Sequence, residues 1–158
     1  MPPRPPLTDA DRFGMETALL EARAGAAGGE VPVGAAVIVG GQLVALAHNE
    51  TITLHDLTQH AELLALRRAM EALETDRLPD ATLYVTLEPC AQCAGAIVLA
   101  RVGRVVFGAY DPKAGMVGSV HDLLRHPKLN HRPEVMGGVM EEECGALLSE
   151  FFAGKRET

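Results

Sequence analysis

The sequence predicts an α/β fold in which one mixed sheet is covered by helices. Segments with apolar residues at helical spacing alternate with short β-branched runs, and two of those runs are separated by only two glycines. A two-residue turn joins antiparallel strands, whereas strands joined through a helix are expected to be parallel neighbours. The predicted order is therefore helix, two hairpin strands, helix, strand, helix, strand, a final candidate strand and a terminal helix.

Length and composition indicate one ordinary globular domain. The 158 residues are enough to bury a substantial core, and 47% hydrophobic with 22% charged residues is a typical balance. No apolar run approaches the roughly eighteen residues of a membrane span, and the first residues lack the apolar centre of a signal peptide. We expect a disordered lead over residues 1–8, a single domain over 9–154 and a short tail over 155–158.

The first two elements are a helix and a hairpin. Thr8 and Asp11 fit a capping box at the start of the helix, and Gly28-Gly29 is a stop signal at its end. Between them apolar residues recur at helical spacing: Phe13, Ala18, Leu19, Ala22 and Ala26. A β-branched apolar run over 30–39 and a second candidate strand over 42–47 flank a Gly-Gly pair, which predicts a hairpin.

A polar loop over residues 48–58 leads to the second helix, for which Thr58 is the candidate N-cap. The inner face of this helix is predicted to hold Ala61, Leu64, Ala65, Ala69 and Leu73. The later elements are a strand over 82–87, a helix over 89–99, a strand over 104–108, a short helix over 120–125, a candidate strand over 134–139 and a terminal helix over 141–152. The helix over 89–99 is apolar nearly all round, so it is expected to serve a core, a dimer interface, or both.

Two short motifs carry the candidate chemistry. His60-Ala61-Glu62 lies at the start of the second helix, and Pro89-Cys90-Ala91-Gln92-Cys93 follows the third strand. One imidazole and two thiolates form a three-ligand zinc set, which leaves the fourth tetrahedral position to water. Zinc lowers the pKa of bound water from about 15.7 to roughly 7, so hydroxide becomes the nucleophile and Glu62 the proton carrier.

The spacing of each motif fits this division of roles. Cys90 and Cys93 are three residues apart and share a helix face, with Pro89 expected at the first helical position. The positive end of the helix dipole favours thiolates there. His60 and Glu62 are two residues apart, so one is expected to bind the metal while the other reaches the adjacent water.

Each motif has another interpretation when taken alone. A Cys-x-x-Cys pair is more often a redox pair or half of a structural zinc site, but no second such pair completes a four-cysteine site. His55 in the polar loop is a further candidate ligand, although a hydrogen-bonding role is more common for a loop histidine. Cys144 is expected to be a structural residue on the core-facing side of a helix. With so few cysteines, we expect no disulfide framework and a reducing cytoplasm.

The charge of the chain is unevenly distributed. The net charge of −7 argues against indiscriminate binding to nucleic acid. Residues 100–132 nevertheless carry a net +4, leaving −11 on the rest of the chain. Its basic residues are Arg101, Arg104, Lys113, Arg125, Lys128 and Arg132, with three histidines among them. This segment is either a solvated face or a basic patch beside the metal.

With these residues in hand, the chain resembles bacterial tRNA-specific adenosine deaminases of the cytidine-deaminase-like superfamily. The zinc motif alone identifies only the superfamily and does not single out the tRNA enzymes. The resemblance extends from Phe13 to Phe152 and includes the segments 30–35, Asn49, 60–62, 81–90, 104–109, 126–127 and 130–132. The chain departs from the family at Gln92, where Met is frequent, and at Tyr110, where some relatives have Arg.

The resemblance implies a three-layer α-β-α domain with a central mixed five-stranded sheet. It implies zinc-dependent hydrolysis of the wobble adenosine of a tRNA anticodon to inosine, with one Zn²⁺ per subunit, zinc-bound hydroxide as nucleophile and Glu62 as proton shuttle. His60, Cys90 and Cys93 match the zinc ligands. The substrate-contacting positions implied in the same way are Asn49, Ala61, Asp111, Lys113, Asn130 and Phe152. The resemblance further implies a cytoplasmic homodimer with no membrane association.

Two other functions use the same residues. A deaminase of a free base or nucleoside, such as guanine or cytosine, would share the zinc set and Glu62 but would not need the basic segment over residues 100–132. A zinc-stabilised RNA-binding module would keep the metal without catalysis. Inosine formation in a wobble-adenosine stem-loop distinguishes the tRNA enzyme from both alternatives.

Overall fold

One mixed five-stranded sheet forms the centre of the computed structural model, which describes residues 6–156. The strands are β1 Gly34–Val39, β2 Gln42–His48, β3 Ala81–Leu87, β4 Arg104–Ala109 and β5 Glu134–Met136. Their spatial order is β2-β1-β3-β4-β5. Strand β1 is antiparallel to β2 and β3, whereas β3, β4 and β5 are parallel. The predicted sheet and its final candidate strand are confirmed.

Helices cover both faces of this sheet and complete the predicted three layers. They are α1 Asp9–Ala27, α2 Ala61–Leu73, α3 Ala91–Leu99 and α4 Glu141–Arg156. Met15 of α1 and Cys144 of α4 belong to one buried cluster, and Leu66 of α2 and Ile97 of α3 belong to the cluster on the other face. Cys144 therefore lies in the helix core, as expected. Within the described residues, no helix is both long and apolar enough to cross a bilayer.

The topology brings the ends of four strands to one side of the molecule. Because β2 and β3 are both antiparallel to β1, they run in the same direction, and β4 and β5 run parallel to β3. The carboxyl ends of β2 to β5 therefore meet at one edge of the sheet, which we call the carboxyl edge. Ligands bind at this edge in open α/β folds.

The helix starts differ from two of the predictions. Thr8 caps α1 as expected, its hydroxyl oxygen accepting from the Asp11 amide at 3.1 Å. The N-cap of α2 is His60 rather than Thr58, because the Thr58 amide and hydroxyl both donate to Asp56 Oδ1 in a separate turn. The N-cap of α3 is Cys90, so the prediction of Pro89 as the first helical residue is wrong.

The expected faces and ends of several elements also need correction. Phe13 and Leu73 are not core residues, because 52% and 43% of their surfaces are exposed. Strand β5 ends at Met136, where Gly137 packs closely against Phe107 and Gly138 has a φ of 80°. Apart from Cys93, only Ala94 and Ile97 of α3 are buried, and Leu99 is 82% exposed within the single chain.

The remaining differences concern the short helix and the two termini. The predicted helix over 120–125 is reduced to a single 3₁₀ turn, Leu123–Arg125, because the amides of Val120 and Leu123 bond to carbonyls of the preceding loop. Helix α4 continues past residue 152, so the proposed domain boundary at 154 falls inside it. Most of the expected disordered lead, residues 1–5, lies outside the described residues.

Candidate active site

Both chemical motifs lie at the carboxyl edge. The loop after β2 leads to His60 at the start of α2, and the connection after β3 leads to Cys90 at the start of α3. The segment after β4 contributes Asp111, and the chain entering β1 contributes Val31 and Val33. These elements surround one cavity of about 210 Å³, which is below the range of drug-sized sites. A cavity of this size suits a group as small as one base.

Three candidate metal donors converge beside this cavity. His60 Nδ1 lies 3.5 Å from Cys90 Sγ and 3.5 Å from Cys93 Sγ, and all three donor atoms lie within 4.8 Å of one another. Tetrahedral zinc with Zn–S of about 2.3 Å and Zn–N of about 2.05 Å places nitrogen and sulfur about 3.6 Å apart. The observed separations therefore fit Zn²⁺ at these residues.

The helix starts explain why these side chains can act as donors. His60 and Cys90 are the N-cap residues of α2 and α3, and neither side chain makes a capping hydrogen bond. Cys93 follows in the first turn of α3 and is fully buried. Two helix dipoles, positive at these ends, favour thiolate at the cluster.

The donors shift one another's protonation. Hydrogen bonding with Cys93 is the main cause that lowers the pKa of Cys90 to about 3, and His60 contributes further. Hydrogen bonding with Cys90 in turn raises the pKa of His60. The pKa of Cys93 is raised, first by its hydrogen bond with Cys90 and then by burial. Metal ligands bind in their deprotonated forms, so metal binding by these three residues releases protons.

Glu62 lies in the first turn of α2 and lines the cavity. Only 4% of its surface is exposed, and burial raises the pKa of its carboxyl group to about 7. A group with this pKa can both accept and release a proton near neutral pH. Glu62 thus lies beside the donor set but is a separate residue from the three donors, as the spacing of the motif predicts.

Asn49 also lines the cavity and is fixed by the start of α2. Its side-chain Oδ1 accepts from the backbone amide of Ala61 at 2.9 Å, and its backbone N–H donates to the Val33 carbonyl at 3.1 Å. The Asn49 side-chain NH₂ group therefore stays free of this bond and can donate to a ring nitrogen of a base. Ala61 is fully buried, and its amide orients Asn49.

A second cavity of about 560 Å³ adjoins the first. Asp111 lines both cavities, and so do Val31 and Leu87. Lys113 and the half-exposed Phe152 line the second cavity, together with Tyr110. Asp111, Lys113 and Phe152 are therefore gathered next to the donor set.

Other sequence-predicted residues lie elsewhere. Asn130 is exposed in the loop before β5 and lines neither cavity. His55 is exposed in the loop after β2 and is not part of the donor cluster. Arg104 does not contribute to a basic patch at the site, because its guanidinium pairs with Asp11 at 2.6 Å beside a different cavity. That cavity of about 400 Å³ opens near the β1–β2 turn. Its buried carboxylate, Asp11, already accepts two hydrogen bonds from Arg104.

Two buried glutamates at the site escaped the sequence analysis. Glu30 is 1% exposed, and its carboxylate accepts from the amides of Ile52 and Thr53 in the loop after β2. Glu88 is 2% exposed, lines the cavity and accepts from the segment after β4. Burial disfavours both carboxylates, but these hydrogen bonds together lower the pKa of each. The available signal for Glu88 was an acidic residue directly after an apolar strand, whereas Glu30 lies four residues before β1 and had no such signal.

Comparisons with known proteins find deaminases that match most of the chain. The MafB19-like deaminase family matches residues 9–155. The tRNA-specific adenosine deaminase of Bacillus subtilis is 50% identical over 147 residues, covering 93% of this chain and 91% of that protein. A solved structure from work on A-to-I editing by tRNA:A34 deaminases at the wobble position has a TM-score of 0.83 at 45% identity, covering 87% of this chain and 99% of that one. A guanine deaminase from Nitrosomonas europaea has a TM-score of 0.79 at 25% identity, covering 96% of this chain and 88% of that one.

Proposed function

Because this chain belongs to the tRNA-specific adenosine deaminases of the cytidine-deaminase-like superfamily, we propose that it converts the wobble adenosine of a tRNA anticodon to inosine. The observation that carries the proposal is the convergence of three metal donors and a buried carboxylic acid on a base-sized cavity. Hydrolytic deamination needs a nucleophile, a proton carrier and a pocket for one flipped base. The three donors can hold the ion that supplies the nucleophile, Glu62 can carry the proton, and the first cavity can hold the base.

His60, Cys90 and Cys93 are the proposed ligands of one Zn²⁺ per subunit. Their separations and chemistry fit this ion. Bound there, Zn²⁺ supplies hydroxide near neutral pH. His60, Cys90 and Cys93 would hold the ion with the three protein ligands that are typical of catalytic rather than structural zinc sites.

Glu62 is the proposed acid and base. In the reaction a bond forms between oxygen and purine C6, the bond from C6 to the amino nitrogen breaks, and ammonia leaves. Glu62 takes one proton from the attacking water and passes it to the ring nitrogen N1. It then takes the second proton from the new C6 hydroxyl and delivers it to the leaving amine, which leaves a C6 carbonyl in inosine. A pKa of about 7 suits both directions of transfer.

Asn49 is the proposed donor to the base in the first cavity, because its NH₂ group is free while its oxygen is held by Ala61. The second cavity is proposed to hold flanking parts of the anticodon loop. Lys113 supplies positive charge for phosphate, and Phe152 supplies an aromatic face for stacking. Asp111 contributes to both cavities. Asn130, in the loop before β5, stays a proposed RNA contact.

The proposal is tested by incubating the zinc-loaded protein with an anticodon stem-loop that carries a wobble adenosine. We expect inosine at that position, and none in a stem-loop with wobble guanosine or cytidine. Free guanine, adenine and cytosine are assayed in parallel for ammonia release. Ammonia from a free base without inosine in the RNA would overturn the proposal.

A second candidate is deamination of a free base such as guanine. The structural similarity to a guanine deaminase supports it, since both chains have the same fold. The second cavity argues for RNA, because a lone base has no use for Lys113 and Phe152 beside its pocket. A zinc-stabilised RNA-binding module has less support, because a buried carboxylic acid beside the donor set is costly unless it has a chemical role.

A cytoplasmic homodimer is the remaining part of the proposal. Leu99 of α3 and Leu57 of the loop after β2 are 82% and 85% exposed, which supports a partner surface near these elements. Reduced cysteines and a tRNA substrate support a cytoplasmic location. Sedimentation analysis of the wild type and of Leu99→Glu tests the dimer, and we expect the variant to shift toward monomer.

A further inference from the structure

Glu88 connects β3 to Cys90 and is surrounded by donors from one loop. Its Oε2 accepts from the Val117 and Ser119 amides at 2.9 and 3.0 Å. Its Oε1 accepts from the Asp111 amide at 3.0 Å and from the Ser119 hydroxyl. A carboxylate offers about four acceptor positions, so segment 111–119 fills this group almost completely.

The same segment is also held by the residue next to Glu88. The Met116 amide donates to the Pro89 carbonyl at 2.9 Å. Glu88 and Pro89 lead directly to Cys90, so the loop after β4 is attached to the connection that carries a proposed metal ligand. The positions of the loop and of Cys90 are therefore set relative to each other by two consecutive residues.

Gly115 shows how closely the loop wraps the carboxylate. Gly115 is buried, and a Cβ atom added there would overlap the Glu88 carboxyl group. The segment also folds on itself, since Asp111 Oδ1 accepts from the amides of Lys113 and Ala114. This compact turn is thus built around the Glu88 side chain.

Segment 111–119 forms one wall of both cavities. Asp111 and Ala114 line the first cavity, and Asp111 and Lys113 line the second. We propose that Glu88 is a positioning residue for substrate binding, whose carboxylate holds segment 111–119 in the place where it contacts the RNA. This inference rests on the proposed function for the identity of the substrate. The anchoring of the loop is independent of that function.

The chain offers a matched control for a purely structural role. Asp11 is a second buried carboxylate, 3% exposed, and it accepts from Tyr84 and Arg104. It lies beside the cavity near the β1–β2 turn rather than at the carboxyl edge. Loss of either carboxylate is expected to lower stability, but only loss of Glu88 disturbs the substrate wall.

The test compares Glu88→Gln and Asp11→Asn with the wild type in the zinc-loaded protein. In Glu88→Gln we expect faster amide hydrogen exchange at residues 111, 117 and 119, with zinc content retained. We also expect KM for the stem-loop to rise about tenfold, equivalent to about 1.4 kcal/mol, while kcat stays within about threefold. Asp11→Asn is expected to lower the melting temperature without changing KM or exchange at those amides.

Two results would overturn the inference. One is unchanged exchange at residues 111, 117 and 119 in Glu88→Gln, because the loop would then not depend on the carboxylate. The other is an equal rise in KM in Asp11→Asn, because the effect would then follow from general destabilisation. If the wild type itself makes no inosine, the proposed function fails and the role in substrate binding fails with it, whereas the exchange data still decide the anchoring.

Discussion

The side-chain amide of Gln92 donates a hydrogen bond to the backbone carbonyl of Thr58 at 2.8 Å. Gln92 stands between the two cysteines, and Thr58 lies two residues before His60. The bond therefore ties the start of α3 to the chain that enters α2. It therefore links the segment that carries the imidazole donor to the helix that carries the two sulfur donors.

This bond predicts a measurable effect on metal affinity. Gln92→Met removes the donor but keeps a side chain of similar length. Partners bonded directly to metal ligands are worth about 10–100-fold in affinity. Because Gln92 acts through the Thr58 carbonyl rather than on a ligand, we expect a loss at the lower end, about tenfold. Competition with a chromophoric chelator measures the change. Equal zinc affinity in the two proteins would show that the Gln92 bond does not support the site.

Glu62→Gln is expected to abolish deamination while the fold and zinc are retained. The amide has nearly the same shape but cannot carry the proton, and general acid–base catalysis contributes about 10²–10⁴-fold. We expect at least a hundredfold loss of inosine formation in a single-turnover assay. Stem-loop binding measured by fluorescence anisotropy serves as the control and should change little. Turnover at the wild-type rate would remove Glu62 from the mechanism.

Cys90→Ala is expected to cost both zinc and stability, because the remaining two donors do not complete the ligand set. Cys144→Ala is the matched control, since it removes a buried thiol in the core between α4 and the sheet. It should lower the melting temperature but leave the zinc content at one ion per chain. Elemental analysis after dialysis against a chelator measures both variants. Full zinc retention in Cys90→Ala would show that the ligand set is wrong.

The buried pair of Asp11 and Arg104 predicts a pH dependence of stability. The Arg104 hydrogen bond is the largest cause that lowers the pKa of Asp11 below its ordinary value of 3.8, although burial opposes it. Because the folded protein holds this carboxylate more ionised than the unfolded chain does, its stabilisation is present above pH 3.8. It is lost as the pH falls through the folded value.

We therefore expect Asp11→Asn to lower the free energy of unfolding by about 3 kcal/mol at pH 7, since Arg104 loses its buried partner and keeps only the exposed Glu134. The difference from the wild type should shrink below about pH 4. Urea unfolding followed by circular dichroism at a series of pH values checks both expectations. A difference that stays constant down to pH 2 would contradict the assigned role of the carboxylate.

Much of the fold could be predicted from local patterns. The two glycines at 40 and 41 both have positive φ, as a tight two-residue hairpin turn requires, and the hairpin lies where predicted. The Thr8 cap and the Gly28 end of α1 are also confirmed, because each depends on residues within one helical turn. The first residues of helices that follow a loop were harder to predict from the sequence. The prediction of Thr58 as the N-cap is wrong because its amide and hydroxyl donate to Asp56, two residues earlier, in a local turn that competes with a capping role.

The sequence by itself determined the residue types of the candidate site, since His60, Glu62, Cys90 and Cys93 lie in motifs whose spacing already predicts a metal and a proton carrier. Only the tertiary structure decided what surrounds them. The carboxylate of Glu88 meets donors 23 to 31 residues further along the chain, and that of Asp11 meets donors 73 and 93 residues away. Such contacts depend on strand order and direction rather than on neighbouring residues. A buried glutamate that organises a loop therefore looks, in the sequence, like any other acidic residue at the end of a strand.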